Sequence, residues 1–253
     1  MTSDSRQVTN DTFVHRVHTQ ILRVGEITLD ASGSRHVRNV LRLAEGDRVE
    51  VFDDDGAVGD GSIVALTPEV VMRVERFEPA RATEAELIMA SAIPKGERSD
   101  WMIEKLSELG VSAFIPLAAA RSVVLPGGRN KRDRWVRIAI ESAKQSRRRG
   151  VMKIEELTSV NELIARARAD AFYLSTAEDA QPLAFVFASA SPSRVTLLIG
   201  PEGGWTDEEM HNFDHAGLRG LKLTDTVLRV ETAAIAAAAV IASILASNPS
   251  KGP

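Results

Sequence analysis

The sequence contains no cysteine. Disulfide frameworks, thiolate zinc sites and cysteine nucleophiles are excluded together, and a reducing cytoplasm is the natural setting. Aromatic residues are scarce, with eight Phe, three Trp and one Tyr in 253 residues, yet the apolar fraction of 44% supports a core in one large or two modest domains. Long hydrophobic runs are missing too. The best, "AAIAAAAVIASILA" at 233–246, falls short of the roughly 20 residues that span a bilayer and reads as a helix buried on every side. The N-terminus, "MTSDSRQVTNDTF", has no apolar signal core, so residues 1–12 are expected to be a flexible leader. Finally, neither G-x-x-x-x-G-K-[ST] nor G-x-G-x-x-G follows any strand-like run, so a nucleotide fold of either common kind lacks its phosphate cradle.

What is present falls into two rhythms. From about Phe13 to Pro79, short β-prone runs ("FVHRV", "GEITL", "DRVEVF", "GSIVAL", "VVMRVERF") are separated by turns, with one helix inserted near "SGSRHVRNVLRL". That pattern predicts a small barrel or sandwich over 13–80. From Glu86, strand-like and helix-like runs alternate to the C-terminus, which predicts a mostly parallel sheet covered on both faces over 81–253. Ser159 with Glu162, and Thr206 with Glu209, have the spacing of capping boxes and mark two helix starts.

The net charge of −4 hides an uneven distribution. Between Arg129 and Lys153, ten Lys or Arg face two acids, a local +8, so the remainder carries −12. Screening over about 8 Å makes such a local patch matter more than the total. Projected on a helix, Arg134, Arg137, Lys144 and Arg148 share one side, while Trp135, Ile138, Ala139 and Ser142 share the other. A solvated face is the plain explanation; the run Arg147, Arg148, Arg149 favours phosphate contacts instead. His36, Arg38 and Arg42 form a second, weaker basic set.

"LLIGPEGGWTDEEM", Leu197 to Met210, places glycines between a strand and an acidic helix, where something can approach the backbone closely. It is either a tight turn or a ligand cradle, and in an open α/β sheet ligands bind outside the carboxyl ends of strands. Glu202 and the acids at 207–209 disfavour a phosphate and fit an uncharged or cationic ligand. A second strand-loop-helix unit, "LKLTDTVLRVETAAIAAAAVI", Leu221 to Ile241, adds another irregular loop.

The pair "IGPEGGWTDEE" and "LTDTVLRVETAA", in that order, resembles the SPOUT (trefoil-knot) RNA methyltransferases, and more narrowly the 16S ribosomal RNA uridine-N3 methyltransferase family. "RHVRNVLRLAEGDRVEVFDDDG" looks like that family's PUA-like domain, and "IPKGERSDWMIEKLSELGVSAFIPL", "RSVV" and "RWVRIAIESAKQSRRRG" look like its central blocks. The resemblance implies a PUA-like β-barrel followed by a SPOUT α/β domain whose terminal helix packs at a homodimer interface. It implies S-adenosylmethionine held by Leu174 and Ser175, by Gly200, Pro201, Glu202, Gly203 and Gly204, and by Leu223, Thr224, Leu228 and Arg229. It also implies 16S ribosomal RNA as substrate, with contacts expected at His36, Arg38, Arg42, Arg134, Arg137, Lys144, Arg147, Arg148 and Arg149, and no metal. For the chemistry, Arg229 is the candidate to stabilise a uracil anion, with Glu202 or Glu231 taking the N3 proton. The family's third loop more often reads Leu-Gly-x-Arg-Ile-Leu-Arg; here Thr224 and Thr226 replace the glycine and first arginine. A SPOUT enzyme for another RNA or a ribose 2'-hydroxyl, and a non-catalytic RNA-binding dimer, are the alternatives.

Overall fold

A computed structural model describes residues 15–81, 85–124, 128–166, 170–188 and 192–247. The expected leader, 1–12, lies outside them. The chain divides into two compact units, Met1–Ala80 and Arg81–Pro253.

In the first unit, β1 (His15–His18) and β2 (Gly25–Thr28) precede a short helix α1 (Ala31–Arg35), which continues as one π-helical turn over His36–Leu41. Strands β3 (Arg48–Phe52), β4 (Val58–Ala65) and β5 (Val71–Glu78) complete a five-stranded sheet of order β1-β3-β4-β5-β2. Only the β1–β3 pair is parallel. Alternation sets the inner face: Val49 and Val51 of β3 and Met72 and Val74 of β5 point into one core with Ile27, Val37 and Ile63. The acidic turn after β3 is organised from within, because the buried Asp53 carboxylate accepts the amides of Gly56 and Ala57, both at 2.9 Å.

The second unit alternates as expected: β6 (Glu86–Ser91), α2 (Arg98–Glu108), β7 (Ala113–Ala118), α3 (Gly128–Ser146), β8 (Lys153–Ile154), β9 (Thr158–Ser159) and α4 (Val160–Arg166). Then come β10 (Ala171–Leu174), β11 (Gln181–Pro182), α5 (Leu183–Ala188), β12 (Arg194–Ile199), α6 (Asp207–His215), β13 (Arg219–Lys222) and α7 (Val230–Ser247). Its strands pair in parallel in the order β11-β13-β10-β12-β6-β7-β8, with β9 also on β7. Because β-strand side chains alternate, neighbouring residues feed opposite layers. Phe172 and Leu197 join α2, α3, α5 and α7 in one core, whereas Tyr173 and Leu198 join α4 and α6 in the other. Trp135 of α3 is fully buried, edge-on to Phe114 at 5.8 Å, with its indole N–H donated to Asp100 at 3.0 Å.

Both capping boxes form. Ser159 and Glu162 exchange hydrogen bonds at 2.9 and 3.2 Å, and Thr206 and Glu209 at 2.8 and 3.2 Å. The terminal helix departs from expectation. Ala233, Ala234, Ala237, Ala238 and Ile241 of α7 are buried, but Ile235, Ala236, Ala239 and Val240 are only half-buried, and Thr232, Ser243 and Ala246 are exposed. Within one chain, α7 has a core side and an uncovered side of small and apolar residues. Its 18 residues also meet a length-and-hydropathy test for a membrane span, which a core helix of a globular protein meets as well.

Candidate active site

Strands β13, β10 and β12 are neighbours and run in the same direction, so the loops leaving their carboxyl ends emerge side by side. Those loops hold the residues expected to cradle a ligand. They are tied together: the Ser175 amide donates to the Leu221 carbonyl at 2.9 Å, and the Trp205 indole N–H to the Leu174 carbonyl at 3.1 Å. Leu174, Leu223 and Leu228, one or more from each of two loops, are half-buried against the main core and give the cradle an apolar floor.

The glycines of "GPEGG" answer to protein groups. A Cβ on Gly200 would sit 2.9 Å from the Trp205 ring, and one on Gly203 would sit 3.3 Å from the Arg121 side chain. What approaches the backbone at these two positions is therefore Trp205 and the aliphatic stem of Arg121. Gly204 turns the chain with φ +71°, its amide donating to the Pro201 carbonyl at 2.8 Å. Arg121, on the loop after β7, donates to the carbonyls of Gly203 at 2.7 Å and Trp205 at 3.2 Å. The buried Glu209 carboxylate serves the α6 cap and also accepts the Ala120 amide at 2.8 Å.

In the third loop, Thr224 does not adopt a positive φ, so no glycine is required there. Its hydroxyl instead closes a local turn, donating to the Thr226 carbonyl at 2.8 Å and accepting the Thr226 amide at 3.2 Å. The Lys222 ammonium, 2.7 Å from Asp225, holds that exposed carboxyl below its ordinary range.

The three residues expected to act in catalysis are placed differently. Arg229 and Glu202 are exposed on their loops. Glu231 is only 4% exposed, one carboxylate oxygen meeting Arg98 at 3.1 Å and the other having no hydrogen-bond partner among the described residues. Its ion pair joins the start of α7 to the start of α2. Among the described residues, no group of three or more His, Asp or Glu is arranged to hold a metal ion.

The basic residues also separate. Arg137 is exposed on the outer side of α3, and Arg134 pairs with Asp100 at 2.7 Å while staying 62% exposed. Lys144 is largely covered and paired with Glu141 at 2.8 Å. Helix α3 stops at Ser146, so the three arginines do not continue its ridge. Arg147 takes a left-handed φ of 57° and is exposed, Arg149 is half-buried, and Arg148 is directed inward. The Arg148 guanidinium donates to the carbonyls of Ser107 at 2.8 Å and Val111 at 3.0 Å. Burial pushes it down to about 10, so it remains charged near neutrality. In this chain Arg148 ties down the end of α2 rather than standing on the outer ridge. In the first unit, Arg38 donates to the carbonyls of Leu66 at 2.9 Å and Pro68 at 3.1 Å, a structural tie. Arg42 is exposed with φ 55° at the end of the π-helical turn, and His36 is half-buried. Residue patterning did not assign Arg98, Arg121 or Trp205 to this site, although all three lie in the blocks that carry the family resemblance, "IPKGERSDW", "RSVV" and "IGPEGGW".

Loops at the adjacent carboxyl ends of parallel strands are where open α/β domains bind ligands, and comparison with known proteins gives the class of this one. A family model described as an RNA methyltransferase domain matches residues 81–242, and one described as an RNA methyltransferase PUA domain matches 29–69. The ribosomal RNA small subunit methyltransferase E of Bacillus subtilis is 31% identical over 90% of this chain and 94% of its own. A Legionella pneumophila protein described as a methyltransferase, solved with bound cofactor SAM, superposes with a TM-score of 0.80 at 27% identity, covering 91% of this chain and 97% of its own. The ribosomal RNA small subunit methyltransferase E of Neisseria gonorrhoeae, solved with S-adenosyl methionine, gives 0.76 at 25% identity over 93% and 97%. The chain belongs to the RNA methyltransferase family, among the ribosomal RNA small subunit methyltransferase E proteins.

Proposed function

We propose that this enzyme transfers a methyl group from S-adenosylmethionine to N3 of a uridine in 16S ribosomal RNA, acting in the cytoplasm as a homodimer. The observation that carries the cofactor assignment is the set of three loops at the adjacent carboxyl ends of β10, β12 and β13, cross-linked by Ser175 and Trp205. The donor set fits. Half-buried Leu174, Leu223 and Leu228 suit an adenine ring, and exposed Glu202, Asp207 and Glu208 tolerate a cation. When bound, the cofactor supplies a methyl carbon on a positively charged sulfur. The loop backbone from Gly200 to Gly204 and from Leu223 to Leu228 holds it, and Thr224 keeps the third loop in shape.

In-line transfer requires alignment of N3, methyl carbon and sulfur, and N3 must lose its proton. Glu202, exposed on the β12 corner, takes that proton, with the buried Glu231 as the alternative. Arg229, exposed just before α7, donates to the oxygen on which the uracil anion's charge accumulates. RNA phosphates are met by Arg134, Arg137, Arg147 and Arg149 of the second unit, and by His36 and Arg42 of the first. The uncovered side of α7, with Ile235, Ala236 and Ala239, is the surface on which a second copy packs. Nucleoside mass spectrometry of 16S RNA from cells lacking the protein tests the assignment. Loss of 3-methyluridine is expected; an unchanged level overturns it.

A further inference from the structure

Arg121 lies on the loop after β7, which is separated from β12 by β6 in the sheet. Its side chain reaches across that gap. One terminal nitrogen donates to both the Gly203 and Trp205 carbonyls, at 2.7 and 3.2 Å, while the stem lies 3.3 Å from where a Cβ on Gly203 would stand. The residue before it is held from the opposite direction, the Ala120 amide donating to Glu209 of α6 at 2.8 Å. Trp205 carries the connection onward. Its N–H holds the Leu174 carbonyl, and its ring stands edge-on to Phe213 at 4.9 Å, which stacks on Tyr173 at 4.6 Å.

Arg121 is exposed, and exposed contacts of this kind add little to global stability. Its bonds instead restrain the Gly203 and Trp205 carbonyls, two acceptors in the glycine corner that the Gly204–Pro201 turn and the α6 cap do not use. We propose that Arg121 is a positioning residue for the cofactor loops, a latch that fixes the β12 corner and, through Trp205, the loop after β10. This rests on the cofactor reading above. Latch loss leaves the corner to sample other conformations, so the competent shape is populated less and affinity falls by that fraction.

The test is calorimetric binding of S-adenosylhomocysteine to wild type, Arg121→Ala, Arg121→Lys and Trp205→Phe, with thermal melts and single-turnover methylation at saturating cofactor. Arg121→Ala is expected to bind about tenfold or more weakly, the loss typical of hydrogen bonds from a charged donor. Its melting temperature should stay within about 4 °C of wild type, and its saturating rate should be retained. Arg121→Lys, with donors on a shorter stem, recovers part of the affinity; Trp205→Phe, which keeps a ring and loses the N–H, weakens binding as well. Wild-type affinity in both Arg121→Ala and Trp205→Phe overturns the latch. So does a large melting shift in Arg121→Ala, which makes the contact a stability element, or a lower saturating rate at unchanged affinity, which places Arg121 on the RNA. Absence of binding by wild type would instead remove the cofactor reading itself.

Discussion

Replacing Arg148 by alanine distinguishes a structural arginine from an RNA-binding one. The side chain is half-buried, and its guanidinium donates to the Ser107 carbonyl in the last turn of α2 and to the Val111 carbonyl just beyond it. Carbonyls at a helix C-terminus lack partners within the helix, and a cation there also opposes the negative end of the dipole. A hydrogen bond from a charged donor contributes about 1.5–3 kcal/mol. Two bonds from one side chain are not independent, so the expected cost is about 2–4 kcal/mol. Arg148→Met, which keeps most of the stem and has no donor, should recover only the packing share. Urea titration reads the effect as a lower midpoint at unchanged slope, and folded Arg148→Ala in low urea should keep the salt dependence of RNA binding. An unchanged midpoint, or a reduced salt slope at wild-type stability, refutes the reasoning.

In the capping box of α4, hydrogen bonds from the Ser159 amide and hydroxyl hold the Glu162 carboxyl below its ordinary value. A depressed carboxyl stabilises the fold above the unfolded pKa and loses that contribution as pH falls through the folded one. Ser159→Ala should therefore move Glu162 up in an NMR titration, and an unmoved carboxyl removes the hydroxyl from the account. Changing Arg137 and Arg147 together to glutamine should reduce the salt slope of RNA binding by roughly 0.7–0.9 for each lost phosphate contact. The slope of a purely solvated pair would not change. For Arg229→Ala, a role on the uracil anion predicts a loss of about 10²-fold or more in single-turnover rate at saturating cofactor, with S-adenosylhomocysteine affinity kept. If affinity falls first, the arginine holds the cofactor's carboxylate.

Much of the architecture was legible because it rests on local chemistry. The strand-to-helix corner at 200–206 followed from an apolar run, glycines and a capping box, and the structure ends β12 at Ile199 and starts α6 at Asp207. The minor strands β9 and β11, two residues each, and the six-residue α5 carry too little periodicity to register. The ties that shape the site are longer-range still: Arg98 to Glu231 spans 133 positions and Arg121 to Gly203 spans 82, and no pattern along the chain joins such residues. Thus Glu231 could be marked as a carboxylate near the third loop, while its burial depended on an arginine from another helix. The basic ridge shows the same limit at shorter range. Projection placed Trp135, Ala139 and Ser142 inward and Arg137 outward correctly, because α3 stays helical through them. A projection holds only while every intervening residue keeps helical dihedrals. Arg147 enters the left-handed region without being a glycine, so nothing in its identity announces the break. One residue later the chain has turned, and the arginine projected onto the outer ridge lies beneath the end of α2.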